Sequence, residues 1–574
     1  MESNEVLEKL PRHLLDLVIE QPYNDYSSQN HAVWRYVMHQ NVRYLSQVAH
    51  GSYLEGLKKT GISIESIPHM YGMNRILKEI GWAAVAVDGF IPPAAFMEFQ
   101  AYNVLVIAAD IRPINQIEYT PAPDIIHEAA GHAPIIANEE YAAYLKLFGE
   151  IGAKAFSSAY DYKVYEAIRH LSILKADPYT PKKELEHAEA ELDKLNLMEV
   201  ESSEMCKIRN LHWWTVEYGL IGDLNKPKIY GAGLLSSIGE SYNCLQDHVK
   251  KFPYTLESQD VNFDITNQQP QLFVTPDFET LTTVLNQYAD QMALKKGGVD
   301  GIRKAINSES TASCVFSSGL QLSGTFTDFK IKNRELIWLK TSGPSSLSYK
   351  NKELEGHGKN YHTQGYSTPL GKLINSDTPL ELLCEGDLAV IGIEEGANAI
   401  LEFASGIIIK GNLEKISKKD QKIILMSFSE CSVMFEGEVL FEPSWGIFDM
   451  AVGEKIISAY TGPADPFSWG LNYSAPEEKT HKIIHSPKAK HLHSLYSDIR
   501  NIREKKDSIH QLESIWIHVR KNYPDEWLLP LEILEILSSK GIKSSLRTDI
   551  TTYLNQKKEN KTYSNLINNG LLLV

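Results

Sequence analysis

Three textures along the 574 residues predict a multidomain chain: a mainly α-helical region over 1–300, a β-rich module over 312–470 and a helical region over 485–574. Two changes of hydrophobic period carry this reading. Apolar residues recur every three or four positions in the first part, alternate with a period of two in the second, and return to helical spacing in the third. Length agrees, since about 100–200 residues per domain allows two to four domains.

In the first part Val33, Tyr36 and Val37, then Tyr44, Leu45 and Val48, mark amphipathic helices. Pro and Gly clusters at 89–93 and 119–123 punctuate them. In the second part Ala399, Leu401 and Phe403 alternate with Ile400 and Glu402, and frequent Gly and Ser imply short strands joined by turns. The run 318–324 (SGLQLSG) lines up with 405–411 (SGIIIKG), and 336–339 with 423–426, both at an offset of 87. This offset suggests one strand–turn–strand unit occurring twice. In the tail, Asp525 and Glu526 follow Pro524 as a helix start prefers, and Leu531, Leu534 and Leu537 supply a packing face. The stretch 556–561 reads as polar and solvated.

Composition narrows the function classes. Hydrophobic residues at 43% and charged residues at 23% are ordinary for globular chains. A net charge of −16 argues against a general nucleic-acid binder, whose affinity needs Lys and Arg on phosphates. Five cysteines without a CxxC pair indicate neither a disulfide framework nor a cysteine zinc site. The first residues lack an apolar signal segment, and runs such as 104–109 fall far short of the roughly 20 residues that span a bilayer. The expectation is a cytoplasmic protein with neither nucleic-acid nor membrane partners.

The chemistry concentrates in 119–132, YTPAPDIIHEAAGH. Thr120 suits a helix cap before Pro121, and Gly131 suits a helix end. His127 and His132 are five apart, and five residues of α-helix turn about 140° from the starting face. The two imidazoles converge only if the helix ends or bulges near Gly131. The spacing also separates this segment from HExxH zinc peptidases, where four residues align both histidines. A third ligand is available in 211–220 (LHWWTVEYGL), where Glu217 sits among apolar and aromatic neighbours. A carboxylate buried there needs either a cationic side chain or a metal. Two histidines and one carboxylate with open positions suit non-haem Fe(II).

The segment from Thr120 to Pro134 resembles the signature of the tetrahydropterin-dependent aromatic amino acid hydroxylases. So do 213–217 and 230–240 (YGAGLLSSIGE), with weaker matches at His31 and Trp34, 53–57, 89–93, Phe96, Arg112 and 269–274. The likeness spans about 30–295. It implies the mainly helical hydroxylase fold, with Fe(II) and a reduced tetrahydropterin hydroxylating the ring of a free aromatic amino acid using O2. His127, His132 and Glu217 match the iron ligands. Arg112 matches the residue for the substrate carboxylate and Asp124 the one that orients it. Tyr119, Thr120, Pro123, Trp213 and Ser236 match substrate-pocket positions, with Ser236 also supporting His127. Gly89, Ile91, Phe96 and Glu128 match pterin contacts.

Four features depart from the family pattern. The 84 residues at 133–216 separate His132 from Glu217, implying an inserted helical hairpin near 160–203 that could shape access to the cleft. His212 stands where Tyr is frequent, only about 30 residues precede the match, and the regions after 312 replace a short tetramerisation tail. Oligomeric state therefore does not carry over. Ile265, where an acidic residue would suggest tyrosine as substrate, and Trp213 favour L-phenylalanine. Tyrosine or tryptophan hydroxylation remains open. A zinc hydrolase with Glu128 as base, and an inactive binding or regulatory protein whose C-terminal region is the working part, are the readings from other classes.

Overall fold

The shift in hydrophobic period becomes a shift in architecture. The computed structural model describes all residues except 1–3, 90, 119–122, 177–179, 199–200, 265–267, 474–484 and 560. Helix α1 (Ser28–Val48) opens on Ser27, whose side chain takes the Asn30 N–H in a reciprocal capping box. It buries Val33, Trp34, Tyr36, Val37 and Leu45. A three-stranded sheet follows, ordered β1 (Val18–Ile19), β2 (Ala83–Val87), β3 (Val104–Ala108). β2 and β3 are parallel, wholly buried and joined through α2 (Pro93–Ala101). Such burial explains their continuous apolar runs.

Beyond α3 (Glu139–Gly152), α4 (Ala159–Ala176) and α5 (Lys182–Asn196) pair around Leu171, Ala188 and Leu192. Next come α6 (Glu204–His212) and a second sheet made from β4 (Leu220–Asp223), β5 (Lys226–Ile229), β6 (Lys250–Pro253) and β7 (Gln271–Thr275), ordered β5-β4-β7-β6. Helices α7 (Phe278–Ala289) and α8 (Gly298–Asn307) end this part.

The β-rich region holds two sheets built from units of one plan. The first unit contains β8 (Thr311–Phe316), β9 (Leu320–Lys332), β10 (Glu335–Tyr349), β11 (Lys352–Glu353) and β12 (Ser367–Pro369). The second contains β13 (Asn398–Glu402), β14 (Ile407–Lys419), β15 (Lys422–Phe435), β16 (Glu438–Phe441) and β17 (Phe448–Ala451), and β18 (Ile456–Thr461) returns to pair with β8. The starts of β8, β9 and β10 precede those of β13, β14 and β15 by 87 each (398 − 311, 407 − 320, 422 − 335). Backbone conformation repeats as well. Asn333 and Arg334 take positive φ in the two-residue β9–β10 turn, as Asp420 and Gln421 do between β14 and β15. Gly319 and Gly406 share φ of 94°, a left-handed value glycine reaches without strain.

After a short helical turn at Pro466–Trp469, the described residues form the longer helices α9 (Pro487–Arg503), α10 (Leu512–Asn522), α11 (Leu528–Ser539), α12 (Ser545–Lys557) and α13 (Lys561–Leu571). Glu526 accepts the Leu528 and Leu529 N–H groups at the start of α11. These helices share one apolar core with α1, where Tyr36 meets Trp527 edge-on at 5.2 Å and donates its hydroxyl to the Leu566 carbonyl at 2.6 Å. No helix among the described residues is long and apolar enough to cross a membrane.

Candidate active site

Of the two ways in which the five-residue spacing lets the histidines converge, a helix end or a bulge near Gly131, the structure shows the bulge. Residues Ile126–His132 form a π-helical turn that runs directly into Ala133–Ile136. In a π-turn the hydrogen bonds close from i to i+5, so residues five apart share a face. That brings His127 Nε2 and His132 Nε2 to 3.1 Å. Gly131 serves a different purpose: a Cβ there would lie 2.6 Å from the Ala232 carbonyl, so glycine lets the Ser236 segment approach. The expected cap at Thr120 and Pro121 lies outside the described residues.

Glu217 also ends a π-turn, Trp213–Glu217, whose i to i+5 bond is Tyr218 N–H to Trp213 O at 2.8 Å. Its oxygens lie 3.1 Å from His127 Nε2 and 3.4 Å from His132 Nε2. These separations suit one face of an ion about 2.1 Å from each donor. Burial would raise the Glu217 pKa, but the two imidazoles overrule it and hold the carboxylate well below its ordinary value. The residues fit a divalent metal. The Ser236 hydroxyl lies 3.0 Å from His127 Nδ1 and donates its proton to the Ala232 carbonyl at 2.8 Å. His127 Nδ1 must then carry the hydrogen, which leaves the Nε2 lone pair facing Glu217 and His132.

These groups floor a cavity of about 310 Å³. Gly89, Ile91, Phe96, Arg112, Pro123, Glu128, Trp213 and Ser236 line it with His127 and Glu217. Asp124 is buried and grips Arg112 through two parallel bonds, Nε and Nη2 each at 2.8 Å. The same carboxylate accepts the backbone N–H of Arg112 and of His127, tying the arginine to the metal-binding turn. Trp213 is sandwiched between Phe263 at 4.2 Å and Tyr218 at 4.5 Å. Glu128 is buried, its Oε2 has no hydrogen-bond partner, and burial pushes its pKa up to about 8. His212, the departure from the family pattern, is held edge-on by Phe96 and Phe148, and burial lowers its pKa to about 4.

Of the residues the sequence singles out, Tyr119, Thr120 and Ile265 lie outside the described residues. Several lining residues escape the motif reading. Tyr165 and Ile168 come from α4 and Arg209 from α6. Their signal is faint: Tyr165 with Ile168 and Arg209 with Trp213 merely share helix faces at three- and four-residue spacing. No described residue after Phe263 lines the cavity.

Fold and site together define a helical body in which two histidines and one carboxylate, a set that fits a divalent metal, meet beside a cavity. Residues 19–173 and 183–297 match the family model for "Biopterin-dependent aromatic amino acid hydroxylase". The phenylalanine-4-hydroxylase of Chromobacterium violaceum is 26% identical over 280 residues, 46% of this chain and 80% of that one. The Mesorhizobium japonicum enzyme of the same name is 27% identical over 270 residues, 46% and 82% of the two chains. A solved Chromobacterium violaceum phenylalanine hydroxylase structure with bound iron(III) and 7,8-dihydrobiopterin matches with TM-score 0.39 and 24% identity, covering 50% of this chain and 90% of that one.

Proposed function

We propose that this chain is a cytoplasmic phenylalanine 4-monooxygenase, converting L-phenylalanine to L-tyrosine with Fe(II), a tetrahydropterin and O2. The observation that carries the reading is the meeting of His127, His132 and Glu217 within 3.1–3.4 Å below a cavity walled by Arg112 and Trp213. Iron and the pterin, when bound, supply the oxygen chemistry. The chain supplies placement. Arg112, with Nε and one Nη2 hydrogen committed to Asp124, keeps outer N–H groups for the substrate carboxylate. The Trp213–Phe263 stack and Pro123 give the ring an apolar wall. Tyr119 and Thr120, which match substrate-pocket positions by family resemblance, lie outside the described residues. Ser236 fixes the ligating tautomer of His127 and so holds it toward the metal. Phe96, Gly89 and Ile91 line the pterin side, where Glu128 offers a carboxyl oxygen that no protein group hydrogen-bonds, 3.8 Å from His132 Nε2.

In this reading residues 1–300 form the catalytic unit, with 160–203 as its inserted hairpin. Residues 312–470 are a duplicated β module, and 485–574 complete the catalytic core from outside. The deciding experiment incubates the iron-loaded protein with a tetrahydropterin and, in parallel, phenylalanine, tyrosine and tryptophan. Tyrosine formed fastest from phenylalanine supports the assignment, and Glu217→Ala should fall to background with loss of bound iron. Equal turnover by that variant would end the ligand assignment. Preference for tyrosine or tryptophan would move the substrate within the family, and peptide or ester hydrolysis with zinc would replace the reading.

A further inference from the structure

A second cluster of metal-capable side chains lies far from the cavity in sequence: His357, His362 and Asp449, whose ligating atoms all fall within 4.8 Å of one another. The histidines occupy the loop between β11 and β12, and Asp449 lies on β17 of the other sheet.

The backbone positions this trio without help from an ion. Leu347 and Ser345 of β10 donate their N–H groups to the carbonyls of His357 and His362, each at 2.9 Å. The Ser427 hydroxyl donates to Asp449 Oδ1 at 2.6 Å. Thr368 of β12 donates to the Ala451 carbonyl at 3.0 Å, fixing the loop's far end against β17. His357 Nδ1 and His362 Nε2 are 3.3 Å apart, the edge expected between two ligands about 2.0 Å from a tetrahedral cation. Asp449 Oδ2, 4.0 Å from His357 Nδ1, needs only a small side-chain rotation to complete the same face.

Charge points the same way. Asp449 is 5% exposed, and among the described residues no Lys or Arg comes within ion-pair distance of it. A buried carboxylate without a cation is costly. An imidazole of ordinary basicity is mostly neutral at pH 7, the form that binds metals. Two nitrogen donors disfavour calcium and magnesium and suit a first-row divalent ion.

We propose that His357, His362 and Asp449 form a second metal site that takes a divalent cation of the zinc type and clamps the β11–β12 loop to the opposite sheet. The exposed Tyr361 borders the site and hydrogen-bonds to the Asp449 side chain.

The test is a metal count on the full chain, stripped with a strong chelator, reloaded with Zn(II) and washed with a weak one. The wild type should retain two equivalents. His357→Gln/His362→Gln should lose one and keep the other, with unchanged far-ultraviolet circular dichroism. His127→Ala/His132→Ala should also hold one, and Asp449→Asn on that background should hold none. A wild-type count of one that the His127→Ala/His132→Ala pair abolishes would overturn the proposal and leave the three residues as a hydrogen-bonded cluster. If the glutamine variant fails to fold, the wild-type and His127→Ala/His132→Ala counts still decide.

Discussion

The two regions that follow the hydroxylase part relate to it differently. The C-terminal helices bury Leu512, Trp516, Trp527, Leu531 and Ile567 in the same core as Trp34 and Tyr36 of α1. In the β-rich region the second unit encloses Leu401, Ile409, Phe428 and Met450 in a core of its own, whereas the first shares a core with Phe156, Ala293 and Ile302 of the helical part, which pack against β8, β9 and β18. Sequence order therefore misleads about structural order. The segment farthest along the chain is built into the hydroxylase body, while the nearer one shares a core with it only through its first unit and keeps a separate core in its second.

Ending the chain at Gly301 is the harshest way to break this comparison. It strips α1 of Trp527, the Leu566 carbonyl and the apolar face of α11. Each large side chain so exposed loses about 1.5–3 kcal/mol of burial, and a handful exceeds the roughly 5–15 kcal/mol that holds a typical protein folded. The truncated chain should lack a cooperative melt and hydroxylase activity. A soluble, fully active truncation would mean that α9–α13 merely rest on the surface.

Arg35 tests the same seam with one side chain. Buried in α1, it pairs with Glu532 at 3.2 Å and with Glu535, both on α11, and with Glu65. Arg35→Ala leaves those carboxylates facing one another, with Arg503 as the remaining nearby arginine. Removing one partner of a buried ionic cluster typically destabilises by about 3–5 kcal/mol. Urea unfolding should show that loss in the same transition that abolishes activity.

The β-rich region should respond differently. Leu401→Ala opens a void in the separate core of its second unit and should destabilise by about 2–5 kcal/mol. Calorimetry should resolve an earlier transition for this region, while hydroxylase turnover below that transition stays at the wild-type level. A single shifted transition with proportional loss of activity would show the two cores to be coupled.

What the sequence discloses follows the same division. His127, His132 and Glu217 are legible because their chemistry is rare in apolar surroundings, and the five-residue spacing already demands a helix end or a bulge near Gly131, though not which of the two. A π-turn changes hydrogen-bond register by one residue without altering composition, so Gly131 reads as a helix end when its role is close approach to Ala232. Arg209 and Tyr165 escape notice because ordinary helix faces look the same beside a cavity or beside solvent. The 87-residue offset is readable because the turn glycines at 319 and 406 recur with their strands. The partner of α11 is not, since an apolar helix face does not specify what covers it.

At the exposed rim of the Arg35 cluster the effect should be smallest. Glu65, about half exposed, meets His39 at 2.9 Å as well as Arg35. The His39 hydrogen bond, with the Arg35 charge in support, lowers its pKa from an ordinary 4.5 to about 2. A carboxylate depressed on folding adds stability above its unfolded pKa and loses that addition as pH falls through the folded value. Glu65→Gln should therefore cost little near pH 7, because solvent screening holds exposed pairs to about 0.2–1 kcal/mol. It should also flatten the decline in stability between pH 4.5 and 2. Urea midpoints across that window, compared with the wild type, measure the difference. An unchanged acid limb would confine the seam's electrostatics to the buried Glu532 and Glu535, leaving the rim as solvated surface.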